Sequence, residues 1–287
     1  MNIKDKVKSI IFAILDNKRT ILLDYANDPK TYYTKVNYHK QLQNIISKNF
    51  NFYTSIITTA LLYKEQFYKI KNYKKVNTIN PSWNAGHMPG LDMIMLYTII
   101  NYYKPKIYLE IGSGTSTLIV HKAIKENNLK TKIISIDPKP RETVDIVCNT
   151  IYRVCLHEVD NEIFKSLEPN DILFLDGSHM LLPNSDVMYF FLEVLPILKE
   201  GVIIHLHDIY LPYDYPKFML NRYYNEQYIL ASTILTNPKM FEVICPNYFI
   251  YQNKELLDIL GTLWEHPSLK NVEKHGGSFW FKKVLNF

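Results

Sequence analysis

The stretch Glu110-Ile111-Gly112-Ser113-Gly114-Thr115-Ser116-Thr117 constrains this chain more than any other. It follows an apolar run, Ile107-Tyr108-Leu109, and leads into a helix-like segment, Leu118 to Ile124. The order is strand, tight glycine turn, helix. Lacking Cβ atoms, Gly112 and Gly114 let a ligand approach the main chain closely. The helix that follows presents free N–H groups at the same place. The acid two positions before the first glycine suits a cationic or hydroxylated ligand better than a pyrophosphate.

After residue 105 the rhythm is strand and helix in alternation. Strands are predicted over Lys106–Ile111, Lys132–Asp137, Ile151–Glu158, Asp171–Asp176 and Gly201–Asp208, with helices over Thr115–Asn127 and Asn184–Leu198. A helix over Leu91–Tyr103 leads into this region, and an insertion at 209–240 carries a helix near Pro216–Ile234. Phe241–Cys245 and Ser278–Val284 supply two last strands in an antiparallel hairpin. Continuous apolar strands separated by helices imply a parallel sheet covered on both faces. The fold class expected is therefore α/β: a doubly wound, mostly parallel, seven-stranded sheet with an N-terminal helical extension.

Residues 1–78 form the expected extension and 79–287 the expected main domain. Glycine is absent from the first 80 residues, and Ile3, Val7, Ile10 and Ile14 recur at helical spacing. Further helices are expected over Tyr38–Ile46 and Ser55–Ile70. The formal net charge of +5 hides an asymmetry: residues 1–80 hold 14 Lys and Arg against 5 Asp and Glu, and the remainder 19 against 23. A basic segment can dock on nucleic acid, anionic lipid or acidic glycan, or be a solvated lysine face. The first helix can lie on a membrane surface, although such helices more often pack on their own domain. Cys148, Cys155 and Cys245 are odd in number and lack CxxC spacing, so neither a disulfide framework nor a zinc cluster is indicated. No apolar run approaches the roughly 20 residues that cross a bilayer, and no secretory leader is expected. The expected location is the cytoplasm.

In a doubly wound sheet, ligands bind beyond the carboxyl ends of the strands. Here the strand ends carry Glu110, Asp137, Asp176 and His207-Asp208. Asp137 can accept both hydroxyls of a ribose, or serve only as the turn residue before Pro138. Asp176 and Asp208, on neighbouring strands, are candidate ligands of a divalent cation such as magnesium, which would lower the pKa of a substrate hydroxyl. His179 lies on the loop over the site and suits the role of base, as does His207. The plain readings are that Asp208 caps the next segment, Asp176 binds only a cofactor amine or water, and His205 is a core residue. The turn at Trp83–Met88 and the insertion around Tyr210–Tyr224 are candidate substrate lids.

The glycine turn resembles motif I of class I S-adenosylmethionine (SAM) methyltransferases. The dinucleotide fingerprint needs a third glycine, and Thr117 stands at that place, so SAM is favoured over NAD. Asp171-Ile172-Leu173-Phe174-Leu175-Asp176-Gly177-Ser178-His179, Ser185-Asp186-Val187, His205-Leu206-His207-Asp208-Ile209-Tyr210 and Gly276-Gly277-Ser278-Phe279-Trp280 extend the resemblance to a bacterial group of that family over about residues 80–285. The resemblance implies a Rossmann-like sheet and SAM as methyl donor. Glu110, Gly112, Ser113, Gly114, Ser116, Asp137 and Asp176 are then the cofactor-binding candidates, and His179, His207 and Asp176 the catalytic ones. A more distant likeness to metal-dependent sugar and macrolide O-methyltransferases pairs Asp176 with His179. Asp208-Ile209 departs from the Asp-Asn of catechol-type enzymes. The function implied is O-methylation of a small molecule, sugar or surface glycan. The alternatives are an RNA or protein methyltransferase docking through the basic N-terminal region, and a non-catalytic SAM- or nucleotide-binding scaffold.

Overall fold

A computed structural model describes residues 7, 10–11, 23–72, 79–140 and 144–285. The chain divides into two compact units, Met1–Lys30 and Thr31–Phe287. In the first, Val7, Ile10 and Ile11 are helical. Ile3 and Ile14 of the expected first helix lie outside the described residues, as does position 78 at the expected boundary.

The second unit is built on seven strands: β1 (Ile107–Ile111), β2 (Lys132–Ile136), β3 (Thr150–Tyr152), β4 (Ile172–Leu175), β5 (Ile203–Leu206), β6 (Phe241–Pro246) and β7 (Phe279–Lys283). Their order is β3-β2-β1-β4-β5-β7-β6. The first five are parallel, and β7 runs antiparallel to both β5 and β6. This is a Rossmann-like, doubly wound sheet, as the alternation predicts. The whole of β4 and β5 is buried, which is why both read as unbroken apolar runs. The acids that flank β4 lie at opposite ends of it. Asp171 accepts the Ile107 and Glu168 N–H groups at 2.8 and 2.9 Å and anchors the start of β1. Asp176 is delivered to the other end, where the site lies.

Helices α1 (Lys40–Ile46), α2 (Phe50–Ala60) and α3 (Lys64–Tyr68) belong to the same unit as the sheet. Of these, α1 and α2 cover its β6 edge, with Asn49 Nδ2 donating to the Val243 carbonyl at 2.8 Å. An uncovered edge would expose unpaired backbone groups. Helix α4 (Gly90–Tyr103) is buried from Gly90 through Asn101 and packs between α2 and α5 (Thr115–Glu126). That burial explains its apolar character on every side.

Three expected elements come out differently. β3 ends at Tyr152 and not at Glu158, because it pairs only with β2 and the chain then turns toward a cavity. The helix expected over 216–234 breaks into Lys217–Leu220 and α6 (Glu226–Thr236). Tyr223 in the break adopts a left-handed backbone, φ 59°, and the Asn225 N–H donates to the His179 carbonyl at 3.0 Å. The helix expected over 184–198 is interrupted by a π turn, Phe190–Val194. Its last carbonyls, of Leu195, Pro196 and Leu198, accept from the buried Lys283 ammonium, which caps the helix end.

Candidate active site

β1 delivers Glu110 to the base of the glycine turn. The side chain is fully buried, and its two oxygens accept from Thr117 Oγ1 and, at 3.1 Å, from Ser116 Oγ. Thr117 Oγ1 also accepts the Gly114 N–H at 3.0 Å. A threonine in place of a third glycine therefore ties the carboxylate to the backbone of the turn. Burial pushes the Glu110 pKa up to about 7, against the opposing pull of the Thr117 and Ser116 hydroxyls. Glu110 stands beneath the turn and does not line the cavity above it.

Gly112 closes the turn with φ +85°, and its N–H donates to the Ile136 carbonyl at 3.0 Å. A Cβ at this position would stand 2.0 Å from the Asp176 carbonyl oxygen. Neither the backbone angle nor the space admits a side chain. Gly112→Ala is expected to destabilise the fold by about 2 kcal/mol or more and to weaken any ligand held by the turn. Urea unfolding of the two proteins measures this; equal stabilities would contradict the close approach.

Above the turn lies a cavity of about 370 Å³, within the range of small-molecule and cofactor pockets. Gly112, Ser113, Gly114, Ser116, Asp137 and Asp176 all line it. Asp137 follows β2, and its oxygens accept the Ser113 and Lys139 N–H groups at 2.8 and 2.7 Å. An ionised carboxylate offers about four acceptor sites, so two remain for a ligand. Asp186 also faces the cavity and holds the loop after β4 by accepting from the Ser178 N–H at 2.8 Å and from its hydroxyl. His87 and Met88 of the expected lid reach the cavity. Trp83 does not: it is buried in the core, edge-on to Phe67.

Beyond Asp176 the ends of β4 and β5 meet in a cluster of acids and imidazoles. His179 Nδ1 lies 2.9 Å from Glu226, and its Nε2 lies 3.2 Å from Asp176 and 3.5 Å from Asp208. His207 Nε2 lies 3.2 Å from Asp92, and its Nδ1 lies 3.6 Å from both Asp176 and Asp208. Burial alone would lower both imidazole pKa values. The carboxylates around them prevail and hold both well above the ordinary histidine range. The surrounding carboxylates thus favour the protonated form of each ring. The base role expected of His179 or His207 is less favoured by these surroundings, which stabilise the protonated rings. His205, by contrast, is core: it is sandwiched between Phe174 and Trp280 and paired to Ser278.

The two strand-end acids differ. For Asp176, burial raises the pKa, but the His207 charge and the His179 hydrogen bond hold it well below the carboxylate range. For Asp208, burial prevails over both imidazoles and raises it. Their side chains are 29% and 19% exposed. His179 and Asp208 both adopt left-handed backbone, φ 58° and 55°, a conformation uncommon outside glycine that concentrates at functional sites. The magnesium site expected at Asp176 and Asp208 gains no support. Among the described residues no group of three or more His, Cys, Asp or Glu is arranged to hold a metal.

Two cluster members are absent from the sequence-level candidates. Glu226 comes from α6 through the helix break. Asp92 comes from α4 and accepts four donors: the Gly277 and Ser278 N–H groups, Asn247 Nδ2 and His207. The one signal for Asp92 is a lone charge within the apolar run Leu91–Ile100.

Residues 109–209, from within β1 to just past β5, match a family model described as a methyltransferase domain. No curated protein matches the chain. Among solved structures, the chain is similar to a methyltransferase of Podospora anserina bound to S-adenosylhomocysteine (SAH), at 18% identity over 53% of this chain and 71% of that one, with a TM-score of 0.37. It is similar to a plantazolicin methyltransferase in complex with a substrate analogue and SAH, at 14% identity, 85% and 100% coverage and a TM-score of 0.45. An O-methyltransferase of Bacillus cereus in complex with SAH aligns at 12% identity, 88% and 100% coverage and a TM-score of 0.40. Among the described residues no helix is long and apolar enough to cross a membrane.

Proposed function

We propose that this chain, whose residues 109–209 match a methyltransferase-domain model, transfers the methyl group of SAM to a hydroxyl of a small molecule or sugar, with Asp208 as the base. The observation that carries this reading is the charge of the cavity at the glycine turn. Three carboxylates, Asp137, Asp176 and Asp186, line it, and among the described residues Lys139 is its only lysine. Such a lining repels a pyrophosphate. It suits a ligand with a sulfonium, an amine and a ribose diol.

When bound, SAM supplies a methyl group on a positively charged sulfur, which the substrate oxygen displaces to leave SAH. The residues of this chain align and deprotonate. Asp137 has free acceptor sites for the ribose hydroxyls, and its bonds to the Ser113 and Lys139 N–H groups pre-set its orientation. His179 and His207, each within 3.6 Å of both Asp176 and Asp208, hold the two acids side by side. Asp208, the acid with the raised pKa, receives the hydroxyl proton as the oxygen–methyl bond forms. Alignment supplies a large part of the acceleration, because the methyl carbon is already electrophilic.

The test is titration with SAH and with NAD, read by calorimetry and by melting temperature. SAH at 100 times its dissociation constant is expected to stabilise the fold by about 2.7 kcal/mol, with no effect of NAD. Asp137→Ala is expected to weaken SAH binding by roughly 10- to 100-fold, the value of a charge-assisted hydrogen bond. Stabilisation by NAD and not by SAH overturns the reading.

A further inference from the structure

A second cavity, of about 330 Å³, is walled by Tyr210, Phe218, Tyr248, Tyr251, Glu273 and His275. These residues come from the segments that follow β5 and β6 and the one that precedes the antiparallel β7, so they gather at the same end of the sheet as the acid cluster. The rings do not stack flat on one another. Tyr210 and Tyr248 meet at 64° with centroids 4.6 Å apart, Tyr248 and Tyr251 at 39° and 6.1 Å, and Tyr251 and His275 at 63° and 6.1 Å. Aromatic faces and edges are thus turned in several directions around one space.

We propose that this cavity is a seat for an organic cation, and that the hydroxyl acceptor of the methyl-transfer reading belongs to a compound bearing an ammonium group. The second clause rests on that reading; the first does not. Cations bind over the faces of aromatic rings because the ring quadrupole is negative there. A carboxylate is present to match the charge: Glu273 is exposed and stands on the cavity wall. Among the described residues neither lysine nor arginine walls the cavity. The Arg222 guanidinium already lies over the Phe218 ring, 5.9 Å from its centroid, so one ring of the set accepts a cation in the structure itself.

The cavity also adjoins the proposed base. A Cβ built on Gly277 would stand 3.5 Å from the Tyr210 hydroxyl and 3.6 Å from Asp208 Oδ1, so these two groups face the same point. The Tyr210 N–H donates to Gln227 Oε1 at 2.9 Å, which fixes the start of this wall. Burial, with Asp208 and Asp92 nearby, keeps the Tyr210 phenol protonated. A compound seated by its ammonium here would extend toward Asp208.

The full chain is titrated by calorimetry with choline and with its neutral isostere, 3,3-dimethylbutan-1-ol, and separately with SAH. Choline is expected to bind saturably and roughly tenfold more tightly than the isostere. Glu273→Gln and Tyr248→Leu are expected to weaken choline severalfold and to leave SAH binding unchanged. Equal binding of choline and isostere, or no binding of either, overturns the seat, and does so whether or not SAH binds. Preferential choline binding without SAH binding keeps the seat and overturns the clause that makes it an acceptor site.

Discussion

If the proposed reading holds, Asp208→Asn is expected to lower the rate of methyl transfer by roughly 10²- to 10⁴-fold, the usual contribution of a positioned general base, and to leave SAH affinity nearly unchanged. The substitution keeps the shape of the side chain and removes its basicity. Asp208 does not line the cofactor cavity, so the loss falls on turnover and not on donor binding. The wild-type rate carries a sign as well. A base at Asp208 must be ionised, so activity is expected to fall as pH drops through its folded pKa, which burial places above the ordinary 3.8. Transfer from radiolabelled SAM, followed across pH with any acceptor that the wild type methylates, measures both effects. A variant that keeps the wild-type rate and its acid limb removes Asp208 from the chemistry.

Asp92→Asn is the second large effect, and it falls on stability. Asp92 is fully buried, and four donors converge on it. Burial opposes its charge, yet His207 and the Gly277 N–H hold its pKa below the ordinary value. An amide can accept from two or three of these donors, but its own N–H₂ faces the rest, and His207 loses a counter-charge. Breaking a buried ion pair in this way costs about 3–5 kcal/mol, which lowers the melting temperature by roughly 10 °C for a domain of this size. The pH dependence follows from His207. Its folded pKa lies well above 6.5, so its contribution is complete below pH 6.5 and disappears as pH rises through that folded value. Without the Asp92 charge the folded value drops, so the decline, which starts near pH 6.5 in both proteins, ends at a lower pH and is smaller. Calorimetric melting from pH 6 to pH 10 follows this. Identical profiles for the two proteins would show that Asp92 and His207 are not coupled.

The parts of the site read directly from the sequence are those held by consecutive residues. The glycine turn, Asp137 at the end of β2 and Asp176 at the end of β4 follow from strand ends, which an apolar run bounded by an acid marks clearly. His205 is recognisable as core by strand alternation. The role of His179 is not readable in this way, because a histidine's proton inventory depends on what surrounds it. Glu226 reaches His179 only because Tyr223 takes a left-handed backbone and breaks a helix that the apolar pattern continues. Glu110 shows the same limit. Its place two residues before a glycine suggests a ligand contact, while the Ser116 and Thr117 hydroxyls of the next helical turn claim both its oxygens.

By itself the amino-acid order determined the alternation of strands and helices, the parallel sheet and the acidic strand ends. These are local matters of periodicity and turn chemistry, expressed within about 15 residues. Only the tertiary structure decided which acids meet which imidazoles: Asp92 and His207 lie 115 positions apart, and His179 and Glu226 47 apart. The electrostatic field inside a buried site sums over every charge brought near, whatever its distance along the chain. The protonation states, and with them the division of labour between base and scaffold, therefore belong to the folded molecule and not to any segment of it.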